Sequence, residues 1–584
     1  MKCLDIALIG NSQALDAIGE ELAQHGHRLH YAASDCDLLI EDGSQALDSP
    51  IIARDSLHLR LQEATHAGEW LPRLTLLCWH GSARTKRLLD QLPLAPENSG
   101  NGQMLHRRAV DTLVDYVALL VSRVSREAEY LQHTTALDTD HALEGASLLR
   151  LQALAYLHRF NDTARPELLR QAQTPLIEQL DRSLQRFGQR TALVIAGTHL
   201  SYGQLRAQSM AIQQRLLPLL APLRGGGQPL VVGLCLEKSA PLYASILAVL
   251  GSGAVYLPLE PDHPLPRQQY ILQNAGAVLL LHDGQHPLAQ QMPGLDVARI
   301  DARSADLHQP LLHSRPITDA PCMAFYTSGT TGQPKGVVLS QHNLSHFCAW
   351  YADFCELNEQ SRVLQFASLG FDASLIDIFP ALIQGAALIV PSDSQRRDPL
   401  QLAALLREQR LTHGFLPPAL LSLLPGDEPL GLDWLMTGGD VCEPEAIERL
   451  TPHTRLCNLY GPTEATVLAT ARPMRSGDHN RLLGAPIANS RVLILDDAQQ
   501  PVAEQQVGEL YIVGPGVALG YLHNPQQTAE RYLELPLPDG QRLRAYRSGD
   551  LGKWTEAGIE LCGRRDNQVK IRGFRVEPEE IEHC

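Results

Sequence analysis

The chain has 584 residues, 44% of them hydrophobic, and its 49 Lys and Arg against 65 Asp and Glu give a formal net charge of −16 at pH 7. That length exceeds what one hydrophobic core supports, so two or three domains are expected. The acidic balance argues against a nucleic-acid partner, which draws on basic surface, and no apolar run reaches the roughly 18 to 20 residues of a membrane span.

At the N-terminus, "LDIALIG" (4–10) is an apolar run of strand length, "SQALDAIGEELAQHG" (12–26) has helical spacing and ends in glycine, and "RLTLLCW" (73–79) reads as another strand. These predict an α/β unit over 1–135. The opening stretch contains Asp5 and lacks a small-residue cleavage pattern, so it reads as a first strand rather than a signal peptide. The eleven cysteines form no CxxC pair or zinc-finger spacing, and reduced thiols in a cytoplasmic protein are expected. A long amphipathic helix is predicted over 107–132, with further helical spacing over 143–160. Residues 136–173 read as a helical linker, whose polar end "NDTARPELLRQAQTP" places a boundary near Gln173.

From 174 to 565 the chain alternates again. The runs "ALVIAG", "PLVVGLCL", "AVYLPL" and "AVLLLH" read as strands, and "APLYASILAVLGSG" as a helix between them, which predicts a large α/β domain. After Tyr546 the sequence turns charged and turn-rich, and a helix is predicted to begin at "EPEEIEHC" (577–584).

Within this domain "FYTSGTTGQPKGV" (325–337) sets glycines, Ser and Thr hydroxyls and one lysine after a strand. Such a backbone can wrap a phosphate with exposed N–H donors, hydroxyls and one positive charge; a flexible surface turn is the alternative for any loop of this kind taken alone. It is not a Walker A loop, since Pro334 precedes Lys335 and Gly336 follows it.

The loop resembles the phosphate loop of the adenylate-forming (ANL) superfamily. Further motifs follow that family's order and spacing: "LSYGQL" (200–205), "LAVLGSGAVYLPLEPDHP" (247–264), "FDAS" (371–374), "NLYGPTE" (458–464), "GELYIVGPGVALGYL" (508–522), "YRSGDL" (546–551) and "GRRDNQVKIRGFRVEPEEIE" (563–582). Over 174–584 the chain is identified as similar to the adenylation domains of nonribosomal peptide synthetases. The resemblance implies a large multi-subdomain α/β adenylate-forming fold, here preceded by a small Rossmann-like α/β domain. It also implies ATP and Mg²⁺ as cofactors, an amino-acid substrate, and a peptidyl carrier protein whose phosphopantetheine thiol receives the product.

Carried over by motif, Thr327, Ser328, Gly329, Thr330, Thr331 and Gly332 would enclose the β- and γ-phosphates, with Lys335 adding charge. Tyr460 would stack near the adenine, Thr463 would contact the α-phosphate, and Glu464 would help bind Mg²⁺, which suits a hard carboxylate. Asp550 would accept the ribose hydroxyls and Arg564 would approach the ribose or phosphates. Asp372 would hold the substrate ammonium group, the contact that separates amino-acid from fatty-acid or aryl-acid activation. Ala373, Ile376, Phe415, Met436, Gly438, Leu459, Val467 and Leu468 would line the side-chain pocket, and none offers a charged or polar side chain. Such a pocket rejects polar substrates yet separates aliphatic ones poorly, which predicts the leucine, isoleucine or valine class, with phenylalanine second.

The resemblance further implies a C-terminal lobe that swings about a hinge at Asp566 and carries a catalytic lysine. Residues 566–584 match only the start of that lobe, so slowed adenylation is expected of this chain. The first ~130 residues are weakly similar to formyltransferase-like domains over one βα unit. They lack that family's Asn-His-Asp constellation, the Gly10 turn lacks dinucleotide-binding spacing, and His80 in "CWHGS" reads as structural. A degenerate, non-catalytic module is expected there. Acyl- or aryl-acid-CoA ligation on the same fold and a catalytically silent scaffold are the alternative functions.

Overall fold

The structure, a computed structural model, describes residues 160–566 and 568, apart from 162, 226–227, 285, 310, 312–317, 329–332, 426–428, 441, 503–504 and 537–541. Outside that range it describes the backbone of five strands between 5 and 79 and of two strands between 569 and 576. The five strands form one sheet. Asp5–Ile9 pairs in parallel with Arg28–His30 and Leu38–Glu41, Leu57–Glu63 continues in parallel, and Pro72–Trp79 closes the edge antiparallel. The helices expected over 12–26 and 107–132, the helix expected over 143–160 except its last residue, the Gly10 turn, His80 and the helix expected at 577 lie outside the described residues.

Two larger sheets form the core. In the first, of seven strands, Val231–Cys235 and Val255–Leu259 are parallel neighbours buried at every position. Parallel strands are covered on both faces, which is why "VVGLC" and "VYLPL" show no polar alternation. The helix Ala240–Gly251 joins them and is buried at every residue from Leu242 onward. A helix apolar on all sides must sit between layers, and this one packs on both strands and on the helix Tyr202–Leu220.

The second sheet has 14 strands, with a parallel half and an antiparallel half. In the parallel half His413–Phe415, Trp434–Gly438 and Arg455–Tyr460 lie side by side, so Phe415, Gly438 and Tyr460 end three adjacent strands at one edge. Ligands of open α/β sheets bind outside such carboxyl ends. The antiparallel half brings Arg542–Thr555 and Gly558–Arg564 to the same assembly.

The end of the stretch read as a linker is fastened to this core. Phe160 stacks on Trp554 with ring centroids 5.4 Å apart, and the Asn161 side chain both donates to the Val492 carbonyl at 3.0 Å and accepts from its N–H at 2.7 Å. Among the described residues no helix is long and apolar enough to cross a membrane.

One buried group makes stability depend on acid. His346, on the helix Gln341–Phe354, is fully buried, and burial, helped by His342, pushes its imidazole down to about 4 from 6.5. The folded value lies below the unfolded one, so as pH falls the unfolded chain takes up this proton first. Up to about 3 kcal/mol is therefore lost between roughly pH 6.5 and 4. Urea denaturation at pH 7 and pH 4.5 should show a smaller acid loss in His346→Gln than in the parent chain.

Candidate active site

The glycine and hydroxyl-rich loop is the connection of an antiparallel hairpin. Pro321–Thr327 pairs with Lys335–Ser340, and Thr327 faces Lys335 as the last pair before the loop. Gly329, Thr330, Thr331 and Gly332 lie outside the described residues. At the mouth, Ser328 is buried, and the Thr327 Oγ1 is buried with no hydrogen-bond partner among the described residues. A buried hydroxyl left unpaired costs about 1–3 kcal/mol, which an oxygen-rich ligand would recover.

Lys335 does not project into solvent. Its ammonium lies 3.4 Å from Glu464 Oε1 and 3.2 Å from the Tyr521 hydroxyl, and 4.6 Å from the centre of the Tyr521 ring. The Tyr521 hydroxyl in turn donates to Glu464 Oε1 at 2.8 Å. The side chains of Lys335 and Glu464 are 6% and 0% exposed, so each neutralises a charge that would otherwise be stranded inside the protein. Sequence reasoning assigned Tyr521 no role; its only signal was its place in "GELYIVGPGVALGYL".

Four residues before Glu464, Tyr460 anchors a second cluster. Its hydroxyl donates to Asp550 Oδ2 at 2.6 Å, and burial, with Asp550 beside it, holds the phenol well above its usual range. Asp550 Oδ1 accepts from Arg564 Nη1 at 2.5 Å, across the pairing of their two strands. Asp566 grips the other side of that guanidinium with both oxygens, at 2.7 and 3.0 Å, and lies 3.7 Å from Arg531. Gly549, with φ of 79°, makes this possible, because a Cβ there would lie 2.9 Å from both Arg564 Nη2 and Asp566 Oδ2.

A strained turn joins the two clusters. Thr463–Ala465 form one 3₁₀ turn in which Thr463 and Glu464 are buried, and Thr466 and Val467 follow with φ of 56° and 71°. Left-handed φ at a β-branched residue is costly, of order 1–3 kcal/mol, and persists only where packing dictates it. Here Thr466 Oγ1 donates to the Gly516 carbonyl at 2.6 Å, and Gly461 closes the turn so tightly that a Cβ would sit 2.5 Å from the Val467 carbonyl oxygen.

Asp372 is half-buried in the turn that starts the helix Ser374–Gln384. Ile376, Met436, Leu459, Val467 and Leu468 are buried in one apolar cluster, against which half-buried Phe415 packs, and Ala373 is half-buried. Phe415 sits beside Met436 in register, and Gly438 beside Leu459. Gly438 has a second constraint, since a Cβ there would lie 2.1 Å from the Leu459 carbonyl oxygen. Gly438→Ala should therefore part the strand pair and cost about 1–3 kcal/mol, read by chemical denaturation; an unchanged midpoint would contradict that contact.

Residues 180–522 match the sequence pattern of the family described as AMP-binding enzyme. The chain belongs to this family. Among curated relatives of this AMP-binding enzyme, it is 39% identical over 414 residues to a "probable non-canonical nonribosomal peptide synthetase", CymA, of Salinispora arenicola, covering 70% of this chain and 5% of CymA. It is 36% identical over 433 residues to bacitracin synthase 3 of Bacillus licheniformis, covering 73% of this chain and 7% of that protein. The chain thus matches only a small part of the length of either relative. Among solved structures, PA1221, an NRPS protein containing adenylation and PCP domains, aligns with TM-score 0.63 and 28% identity over 71% of this chain and 73% of its own. The α/β architecture is accordingly the large adenylate-forming fold.

The residues present suit a nucleoside triphosphate. Thr327 offers an unsatisfied buried hydroxyl at the loop, Lys335 a fixed positive charge, and Asp550 retains carboxylate lone pairs beyond the two used by Tyr460 and Arg564. Among the described residues no group of three or more His, Cys, Asp or Glu could hold a metal, so Mg²⁺ here would need ligand phosphates beside one carboxylate such as Glu464.

Proposed function

We propose that this chain activates an aliphatic amino acid of the leucine, isoleucine or valine class with ATP, giving aminoacyl-AMP and pyrophosphate. The aminoacyl group is then loaded onto the phosphopantetheine thiol of a peptidyl carrier protein in nonribosomal peptide synthesis. The observation that carries this reading is the turn at 460–467. It ties the Tyr460–Asp550–Arg564 cluster to the Lys335–Glu464 pair, at strand ends that also carry Gly438 and Phe415, the latter packed against the apolar cluster. The relatives, nonribosomal peptide synthetases by name, and a solved neighbour with adenylation and PCP domains support it.

In this reading ATP supplies the α-phosphorus that the substrate carboxylate attacks and the pyrophosphate that leaves. The chain holds and orients the reactants. Thr327 and Ser328, with Gly329–Gly332, enclose the outer phosphates, Thr463 contacts the α-phosphate, Tyr460 flanks the adenine, and Asp550 accepts the ribose hydroxyls. Arg564, held by ion pairs to Asp550 and Asp566, is kept at that end of the site. Lys335 stabilises negative charge at the loop, Glu464 takes Mg²⁺, and Asp372 takes the substrate ammonium. Residues 1–135 are read as a degenerate formyltransferase-like module, a reading supported only as far as the α/β class by the parallel pairing of four of the five described strands, and 136–173 as the connection to the core. Asp566 is read as the hinge that opens the C-terminal lobe.

Pyrophosphate exchange into ATP across a substrate panel tests the reading. Leucine, isoleucine and valine should support the fastest exchange, phenylalanine less and tryptophan none. Exchange with aryl or fatty acids and none with amino acids would replace it by acid activation on the same fold.

A further inference from the structure

The segment 365–373 links the strand Arg362–Leu364 to the helix Ser374–Gln384 and carries Asp372 near its end. It is held from three directions. The N–H groups of Phe366 and Ala367 both donate to Asp377 Oδ2, at 3.0 and 3.2 Å, while their carbonyls both accept from Lys238 Nζ, at 3.2 and 2.8 Å. Two consecutive residues are thereby held through both their N–H and their C=O groups by one carboxylate and one ammonium. Farther along, the Gly370 N–H donates to Glu260 Oε1, and a Cβ at Gly370 would lie 2.9 Å from the Glu260 side chain.

Lys238 and Glu260 come from the other sheet, just beyond the parallel strands Val231–Cys235 and Val255–Leu259. Asp377 comes from the helix that Asp372 precedes, and is buried. Gln365 adds a further tie, donating to the Ala367 carbonyl at 2.8 Å and accepting from the Tyr243 hydroxyl at 2.7 Å. A cavity of about 250 Å³, lined in part by Lys238, Glu260, Ser368 and Leu369, lies against the same segment. Leu369 and Phe366 pack into the apolar clusters, but on the cavity side the segment borders open space, so the polar contacts add what packing leaves out there. Burial, with Arg396 nearby, pushes the Lys238 ammonium down and burial pushes the Asp377 carboxyl up, while the charge of each and the hydrogen bonds to the segment oppose those shifts.

We propose that Lys238, Asp377 and Glu260 are positioning residues for amine recognition: they fix the path of segment 365–371 and so place the Asp372 carboxylate where a substrate ammonium meets it. The proposal rests on Asp372 being the amine contact, as read above. It predicts that substrate discrimination depends on a contact between the two sheets, at residues that do not touch the substrate.

The test is calorimetric titration of the full chain with three probes: leucyl-sulfamoyl-adenosine, the same molecule lacking the α-amine, and ATP. The unaltered chain should prefer the amine-bearing probe by at least about tenfold, as expected for a charge-assisted contact. In Lys238→Met this preference should fall to within about twofold, through weaker binding of the amine-bearing probe alone, with ATP affinity unchanged. Glu260→Ala, which releases the Gly370 amide and removes a negative charge near Lys238, should lower the preference in the same direction, and Glu260→Gln, which keeps an acceptor for the amide, should restore most of it. If Lys238→Met does not fold, the two Glu260 variants decide. Variants that keep the full preference, or that weaken all three probes together, would overturn the positioning role. An unaltered chain with no preference for the amine would instead sink the reading of Asp372, and this proposal with it.

Discussion

Asp372→Ala should weaken binding of a leucyl-adenylate analogue by about 10- to 100-fold and leave ATP affinity nearly unchanged. The expectation follows from the value of a hydrogen bond to a charged group, about 1.5–3 kcal/mol, at a half-buried position where water replaces the lost partner only in part. Asp372→Asn should recover part of the loss, because an amide oxygen still accepts but carries no charge. The same substitutions should scarcely affect an analogue without the amine. Equilibrium titration of the three ligands separates these outcomes, and equal weakening of all three would move Asp372 from substrate recognition to folding.

Asp550→Ala should be the most damaging single change at the nucleotide end. It would leave the Arg564 guanidinium, 14% exposed, without its nearer carboxylate and the Tyr460 hydroxyl without its acceptor. Breaking a buried pair on one side costs about 3–5 kcal/mol, because the remaining charge stays desolvated. Arg564 retains Asp566, so the lower end of that range is expected. ATP affinity should be lost as well. Asp550→Asn should lose less stability, since it keeps an acceptor for Tyr460. Urea denaturation with parallel ATP titration reads both effects; a chain that keeps its midpoint would show that Asp566 alone satisfies Arg564.

Much of the architecture was legible in short stretches. "PLVVGLCL" and "AVYLPL" read as strands on either side of a helix, and they form neighbouring parallel strands joined by that helix. The loop at 325–337 read as a connection after a strand, and it joins the two strands of a hairpin. The pairings inside the site were not legible. Lys335 and Tyr521 are 186 positions apart and Lys238 and Ala367 are 129 apart, and no local pattern of charge or spacing announces such contacts. Lys335 was expected to serve the loop, yet its burial against Glu464 and Tyr521 depends on where a later strand returns to the sheet. Gly438, chosen as a pocket position, is also required by the neighbouring strand's backbone, a constraint visible only once the register is known.

The central claim, that this AMP-binding enzyme holds an aliphatic aminoacyl-adenylate, is tested most directly by thermal shift of the full chain with non-hydrolysable aminoacyl-adenylate analogues. A ligand that binds only the folded state raises its stability by about 2.7 kcal/mol at a hundred times its dissociation constant, whatever the rate of the chemistry. The account predicts the largest shifts with the leucyl, isoleucyl and valyl analogues, a smaller one with phenylalanyl and none with tryptophanyl or aspartyl. Equal shifts across the panel, or the largest shift with an analogue that lacks the amine, would contradict it.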